Sequence, residues 1–248
     1  MPLLLFLTVP PLALLLRLDA SEFLSRLVSE QVTQAIAISL STSLLALLLA
    51  IALGLPLAYL LARRRFAGRT LVDTLLDLPI VLPPAVAGIA LLLAFGRRGL
   101  AGPALGAFGI TLSFTQAAVV LAQLFVAAPY FVKAAAAGFA AVDRELELAA
   151  EVDGATPRAA FWHVTLPLSW QALFGGAVMT WARALGEFGA TIIFAGNFPG
   201  RTQTMPLAIY LGFELDINIA LTLALILLGT SFLTLWLVKR ALHQRIAL

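Results

Sequence analysis

The sequence predicts an all-α integral membrane protein with six transmembrane helices. Three observations carry that reading. Hydrophobic residues make up 61% of the 248 positions and charged residues 12%, whereas a soluble domain has roughly half apolar and about a quarter charged residues. Mean hydropathy is +1.00, and the apolar residues fall into separate runs, several of the length that crosses a bilayer as a helix. Basic residues gather at the ends of these runs and raise the isoelectric point to about 9.8. That placement is an orientation signal, so contact with membrane lipid is expected and a nucleic-acid partner is not.

Leu3–Leu16 is the first apolar run, interrupted by Pro10-Pro11. A cleaved signal sequence is the competing reading, but no Lys or Arg precedes the run and no small-x-small site follows it. Ala35–Ala62 is the second span, long enough to tilt. Leu75–Phe95 is the third, with Pro79, Pro83 and Pro84 near its start. Thr115–Val142 is the fourth, Leu168–Ala195 the fifth and Ile219–Val238 the sixth. The expected divisions are residues 1–34 (N-terminal helix and short external loop), 35–242 (transmembrane core containing a loop at 143–167) and a tail at 243–248.

Arg63, Arg64, Arg65 and Arg69 follow span two, Arg144 and Arg158 follow span four, and Lys239, Arg240 and Arg245 follow span six. All fall on one side, which the positive-inside bias makes cytoplasmic, with both termini there too. Arg17, Arg26, Arg97, Arg98 and Arg201 fall outside, against the trend. The halves show no inverted repeat of the kind that builds secondary transporters. The lysines, Lys133 and Lys239, lie in no Gly-rich turn, so ATP hydrolysis by a P-loop is excluded and any ATP-driven motor is another subunit. Cysteine is absent, and the two histidines, His163 and His243, lie far apart. No metal site, cofactor or catalytic residue is expected.

Three segments carry function. The polar island Asp143–Pro167 holds Glu145, Glu147 and Glu151 around Ala149-Ala150, which suits a short helix on the membrane surface. Gly154 is placed to stop that helix, because glycine tolerates the left-handed conformation of a helix end. Pro157 is placed to start the next one. Either the island is an ordinary solvated loop, or its small alanines approach a groove in a soluble partner. The second segment, Asp77–Gly88, has three prolines in six residues, which no uninterrupted helix accommodates. It is a kinked packing helix or a pliable wall of a path, since broken backbone at membrane depth must be buried or line a cavity. The third segment holds Arg183 near the middle of span five, where a charge costs about 2.5–3.5 kcal/mol or more unless paired or wetted. Glu187, four residues on, shares its helical face, and Thr180 and Thr191 extend the polar stripe. The pair either locks helix packing or faces the path, where Arg183 favours an anion in transit and Glu187 keeps it from being trapped.

The island resembles the docking loop of ABC importer permeases, which reads Glu-Ala-Ala, a Gly after three more residues, and an Ile-x-Leu-Pro close. Ala149, Ala150 and Gly154 are in register and Val164-x-Leu166-Pro167 supplies the close, while Leu148 stands at the Glu position and the acid sits earlier, at Glu147. Leu78–Pro84, Phe95–Gly99, Ala182–Thr191 and Gly196–Tyr210 are similar to the permease of molybdate importers. Sulfate permeases share the Leu-Gly-Glu-Phe-Gly core; the Asn-x-Pro-Gly-x-Thr-x-Thr-x-Pro run is nearer the molybdate branch. The resemblance covers roughly residues 35–240. It implies type I ABC importer architecture, a homodimer, two cytoplasmic ATPase copies and an extracytoplasmic oxyanion-binding protein, with transport of molybdate or tungstate, or else sulfate or thiosulfate. It implies ATPase docking by Glu147, Ala149, Ala150, Glu151, Asp153, Gly154, Ala155, Leu166 and Pro167. The path or gate would involve Pro79, Pro83, Pro84, Thr180, Arg183, Glu187 and Thr191. The outer loops at Arg97-Arg98 and Asn197–Asn218, with Asn197 and Arg201, would meet the binding protein. An autonomous channel or carrier is the rival from another class, and such a channel has no need of a docking loop.

Overall fold

The computed structural model describes residues 1–17 and 19–243. Beyond His243, the expected tail and Arg245 lie outside the described residues. Among the described residues all regular structure is helical, and the chain is a multi-pass membrane protein.

Helix α1 (Pro2–Leu16) runs through Pro10 and Pro11 without breaking, so the expected interruption does not occur. Helix α2 (Ala20–Leu27) is capped by the Asp19 carboxylate, which accepts the Ser21 N–H. Helix α3 (Glu30–Arg63) has 34 residues, about 51 Å at 1.5 Å per residue, and therefore projects past a hydrocarbon core of about 30 Å. Its buried face is a stripe of small residues: Ala35, Ser39, Thr42, Ser43, Ala46, Ala50, Gly54 and Ala58. Small residues let backbones approach, and a Cβ at Gly54 would lie 2.9 Å from Val132 Cγ2.

The third expected span is two helices. Helix α4 (Arg69–Val81) and helix α5 (Pro84–Phe95) meet at 117°. Pro83 drives Leu82 into extended backbone, and Pro84 starts the new helix at its first turn. Pro79 lies within α4, buried, and does not break it. Helix α6 (Gly102–Ala107) follows, then helix α7 (Gln116–Ala141), whose N-terminus Thr115 caps. Helix α7 is the hub against which α3 and the later helices pack.

Helix α8 (Arg144–Val152), helix α9 (Pro157–Ala160), a π-helical turn (Phe161–Thr165) and helix α10 (Leu166–Leu168) make up the polar island and its close. The fifth expected span is also divided. Helix α11 (Trp170–Leu185) stops short of helix α12 (Gly189–Phe194). Helix α13 (Met205–Leu215) is an apolar helix packed on helix α14 (Ile217–His243). This corrects the expectation of an outer loop over Asn197–Asn218: a Cβ at Gly212 would lie 3.0 Å from the Ala220 nitrogen. Among the described residues three helices are long and apolar enough to cross a membrane, Glu30–Arg63, Gln116–Ala141 and Ile217–Arg240, and counting each of two bent pairs as one span makes five.

Polar contacts fix these helices to one another. Trp181 Nε1 donates to Ser43 Oγ at 3.0 Å, joining α11 to α3, and the Met205 N–H donates to Ser39 Oγ at 2.7 Å, joining α13 to α3. Lys133 of α7 donates to Asp73 at 2.7 Å and Asp77 at 2.9 Å, tying α7 to α4.

Candidate functional site

The polar segment Asp143–Pro167 is assembled from its own sequence. The Asp143 carboxylate accepts the Glu145 N–H at 3.0 Å and caps α8. Gly154 adopts φ +93°, and the Ala155 N–H returns to the Ala150 carbonyl at 2.9 Å, closing the helix in the left-handed way. Thr156 accepts the Ala159 N–H and Pro157 occupies the first turn of α9. The stop at Gly154 and restart at Pro157 match the sequence expectation.

Sequence reasoning missed what holds the segment to the membrane domain. Arg63, at the end of α3, donates to the Val142 carbonyl through Nη1 and Nη2, each at 3.1 Å, and its Nη2 reaches Glu147 Oε1 at 2.7 Å. The Thr165 hydroxyl donates to the same carboxylate oxygen. One acid thus joins α8 to the end of α3 and to the π turn, and Arg63 adds the end of α7. Glu147 and Arg63 retain only 13% and 14% side-chain exposure. Charge-assisted bonds of this kind are about twice as strong as neutral ones. Tyr59 completes the joint, edge-on to Phe139 at 5.6 Å and to Phe161 at 5.0 Å. Glu147 is therefore turned inward and occupied, not offered to a partner.

The outward face is different. Ala149, Glu151, Asp153 and Gly154 are exposed, and Ala150, Ala155 and Leu166 are half-buried, with Pro167 exposed. Leu148 and Val152, one helical turn apart, are 50% and 87% exposed. Leu148, the departure from the resembled pattern, extends an apolar and small-residue face, and Glu147 one position earlier supplies the inward acid. The hint in the sequence was that displaced acid.

The second constellation lies where the two divided spans meet. Arg183 Nη1 contacts Glu187 Oε2 at 2.6 Å, with Glu187 1% and Arg183 28% exposed. Glu187 Oε1 also accepts the Ala190 N–H at 2.9 Å and so caps α12. The pair straddles the break between α11 and α12. A Cβ at Gly189 would lie 2.5 Å from Pro84 Cβ, and one at Gly88 would lie 2.9 Å from both the Ala190 carbonyl oxygen and Ile193 Cβ. The structure thus brings the Pro83-Pro84 break and the Arg183–Glu187 break together, backbone against backbone. The expected continuous stripe is corrected: Thr180 lies on α11 and Thr191 on α12, both fully buried, and neither hydroxyl has a hydrogen-bond partner.

On the opposite side, Arg97 and Arg98 are exposed, and Arg97 lines a cleft of about 380 Å³ with Phe95, Pro103 and Ile110. Asn197 is engaged within its own turn: its Nδ2 donates to the Leu207 carbonyl at 3.3 Å and its Oδ1 accepts from Gln203 at 2.9 Å. Arg201 is exposed. Phe114 meets Phe198 edge-on at 6.2 Å, joining the loop before α7 to the 196–204 turn.

A family model described as "Binding-protein-dependent transport system inner membrane component" matches residues 50–247. The molybdenum transport system permease protein ModB of Mycobacterium tuberculosis is 48% identical over 159 residues, covering 64% of this chain and 60% of that protein. The chain thus aligns with about 60% of that relative's length. The sulfate transport system permease protein CysW of Synechococcus elongatus is 38% identical over 186 residues, covering 74% of this chain and 64% of that protein. Among solved structures, a bacterial ABC transporter involved in the import of the acidic polysaccharide alginate superposes with TM-score 0.73 at 20% identity, over 97% of this chain and 90% of that one. The fold is that of ABC transporter membrane subunits.

Proposed function

Because the chain belongs to the binding-protein-dependent transport system inner membrane component family, we propose that it is the permease subunit of an ATP-driven importer for molybdate, with tungstate as the related cargo. The observation that carries the reading is the docking segment: an exposed Leu148-Ala149-Val152 face held rigidly to α3 by the inward Glu147. The chain works as a homodimer, binds a cytoplasmic ATPase on that face, and receives the anion from an extracytoplasmic binding protein at the Arg97-Arg98 and Arg201 side. Both termini lie on the ATPase side. The expected division at 34/35 falls inside α3, so the core begins with α3 at Glu30, and α1 and α2 precede it.

ATP binding draws the ATPase pair together and pulls the docking segments with it. The carboxylate of Glu147 passes that pull to Arg63 of α3 and Thr165 of the π turn, hence to α11. At its far end α11 reaches Arg183 and Glu187, where α12 and α5 part or close. Arg183 and the buried hydroxyls of Thr180 and Thr191 greet the anion weakly enough for release. Molybdate is favoured over sulfate by the Asn197–Pro206 run and by 48% identity to the mycobacterial molybdenum permease. The sulfate reading rests on 38% identity to the cyanobacterial sulfate permease over a longer stretch.

The test is reconstitution in liposomes with ATPase and binding protein. ATP-dependent uptake of radiolabelled molybdate that unlabelled sulfate does not suppress is the expected result; sulfate uptake suppressing it exchanges the cargo, and uptake without the ATPase overturns the reading. Orientation is checked with introduced cysteines, the chain having none. Asp153→Cys should label only after the membrane is opened, and Arg98→Cys should label in intact cells.

A further inference from the structure

A cleft of about 540 Å³ opens beside the polar segment, at the C-terminal end of α3. Its floor is apolar and aromatic, built from Leu55 and Tyr59 of α3 and Phe161 and Trp162 of the π turn. Its rim carries Arg64 and Arg158. Both arginines are exposed, and neither joins an ion pair among the described residues. The neighbouring Arg63, by contrast, is consumed by Val142 and Glu147. Trp162 is 60% exposed at this level.

Two unpaired guanidinium groups above an apolar floor call for an amphipathic anion. A guanidinium matches phosphate oxygens as a fork, and a Trp ring favours the headgroup level of a bilayer. A small inorganic oxyanion leaves the floor of Leu55, Phe161 and Trp162 facing water. Basic clefts between helices at the cytoplasmic surface are where anionic headgroups collect. We propose that this cleft holds one anionic phospholipid of the docking-side leaflet, its phosphate between Arg64 and Arg158 and an acyl chain along Leu55 and Tyr59. The cleft is walled by α3 on one side and by α9 and the π turn on the other, so the lipid fastens the docking segment to the bilayer. The inference rests on the proposed orientation only in naming that leaflet.

The test is native mass spectrometry of the full chain in detergent, titrated with phosphatidylglycerol or phosphatidylcholine of identical acyl chains. One retained phosphatidylglycerol per chain is expected, in clear preference to phosphatidylcholine. Arg158→Gln should lower its retention about fivefold, and Arg64→Gln with Arg158→Gln about twenty-five-fold, at roughly a factor of five per arginine. The double Lys variant should keep most of it, and Arg69→Gln, outside the cleft, should change nothing. Should the double Gln variant fail to fold, Arg158→Gln decides alone, because Arg158 is exposed and makes no ion pair among the described residues. Equal retention of the two lipids, or full phosphatidylglycerol retention without the arginines, overturns the proposal. Displacement of the lipid by millimolar molybdate or inorganic phosphate assigns the arginines to a free oxyanion and overturns it as well. The measurement needs neither ATPase nor cargo, so its failure leaves the transport reading standing.

Discussion

Two Arg–Glu pairs organise this molecule, and they do different things. Arg63 and Glu147 are 84 positions apart, and their contact joins the ends of α3 and α7 to α8 and, through Thr165, to the π turn. Arg183 and Glu187 are one turn apart, and their contact shapes a break within a single stretch of chain. The first pair is a tertiary joint at the surface of the membrane domain; the second is a local device at its interior. A charge pair between distant elements transmits movement, whereas one that caps a helix fixes where the helix begins.

Breaking the second pair should have the larger effect. Glu187 is 1% exposed, and removing one partner of a buried pair costs about 3–5 kcal/mol. Glu187→Ala should sharply lower yield and thermal stability, and Glu187→Gln should do so less, because its amide oxygen still accepts the Ala190 N–H. Arg183→Gln combined with Glu187→Gln should recover much of the loss if the pair is purely structural. If Arg183 also serves the anion, stability returns in the double variant and flux does not. A stable Arg183→Gln protein transporting at the original rate would show that the charge is already solvated.

The surface joint should come next. Glu147→Ala removes a charge-assisted bond worth about 1.5–3 kcal/mol and frees α8 from α3. Thermal stability should fall less than for Glu187→Ala, while ATP hydrolysis and transport become uncoupled. The swap of Arg63→Glu with Glu147→Arg should not rescue coupling, because Arg63 also donates to the Val142 carbonyl. Rescue by the swap would reduce the joint to a simple charge pair.

Gly154→Val should act more locally. No atom lies within 4 Å of a Cβ there, so the penalty is conformational, at φ +93°, and of about 1–2 kcal/mol. Membrane insertion should be unchanged and coupled ATP hydrolysis reduced. Full coupling in that variant would break the docking assignment. The smallest stability effect belongs to Arg97→Glu with Arg98→Glu, within about 0.5 kcal/mol for exposed positions. Association with the binding protein should slow, and more so at low salt.

Local chemistry was legible in the sequence and long-range pairing was not. Gly154 and Pro157 announce the end of one helix and the start of the next, because their backbone preferences act within a few residues. The prolines at 83 and 84 announce a break, but not that α5 would turn through 117° from α4, which depends on what α5 packs against. The break after Leu185 was hidden because no proline marks it; Gly186 and the Glu187 cap suffice once α5 offers Gly88 as a seat for α12. Helix α13 was read as loop because its 11 residues are too few to span and gain their stability from α14. Arg63 looked like one of four basic residues with a shared orienting role, and only the fold separates the buried member from its exposed neighbours.

The π turn at Phe161–Thr165, in which the Leu166 N–H reaches back to the Phe161 carbonyl, sets the phase of everything after it. The wide turn takes up one residue beyond the α-helical count, which in a regular helix would turn everything after it by about 100° and shift it by about 1.5 Å. The polar half and the membrane half of this segment therefore meet in one helical frame despite the extra residue. Deleting a single residue here would let the turn tighten to an ordinary α-helix and leave α11 seated on α7, with Gly176 still against Ala134. A lineage of such chains would bear the loss of one residue at this turn far better than the same loss within α11.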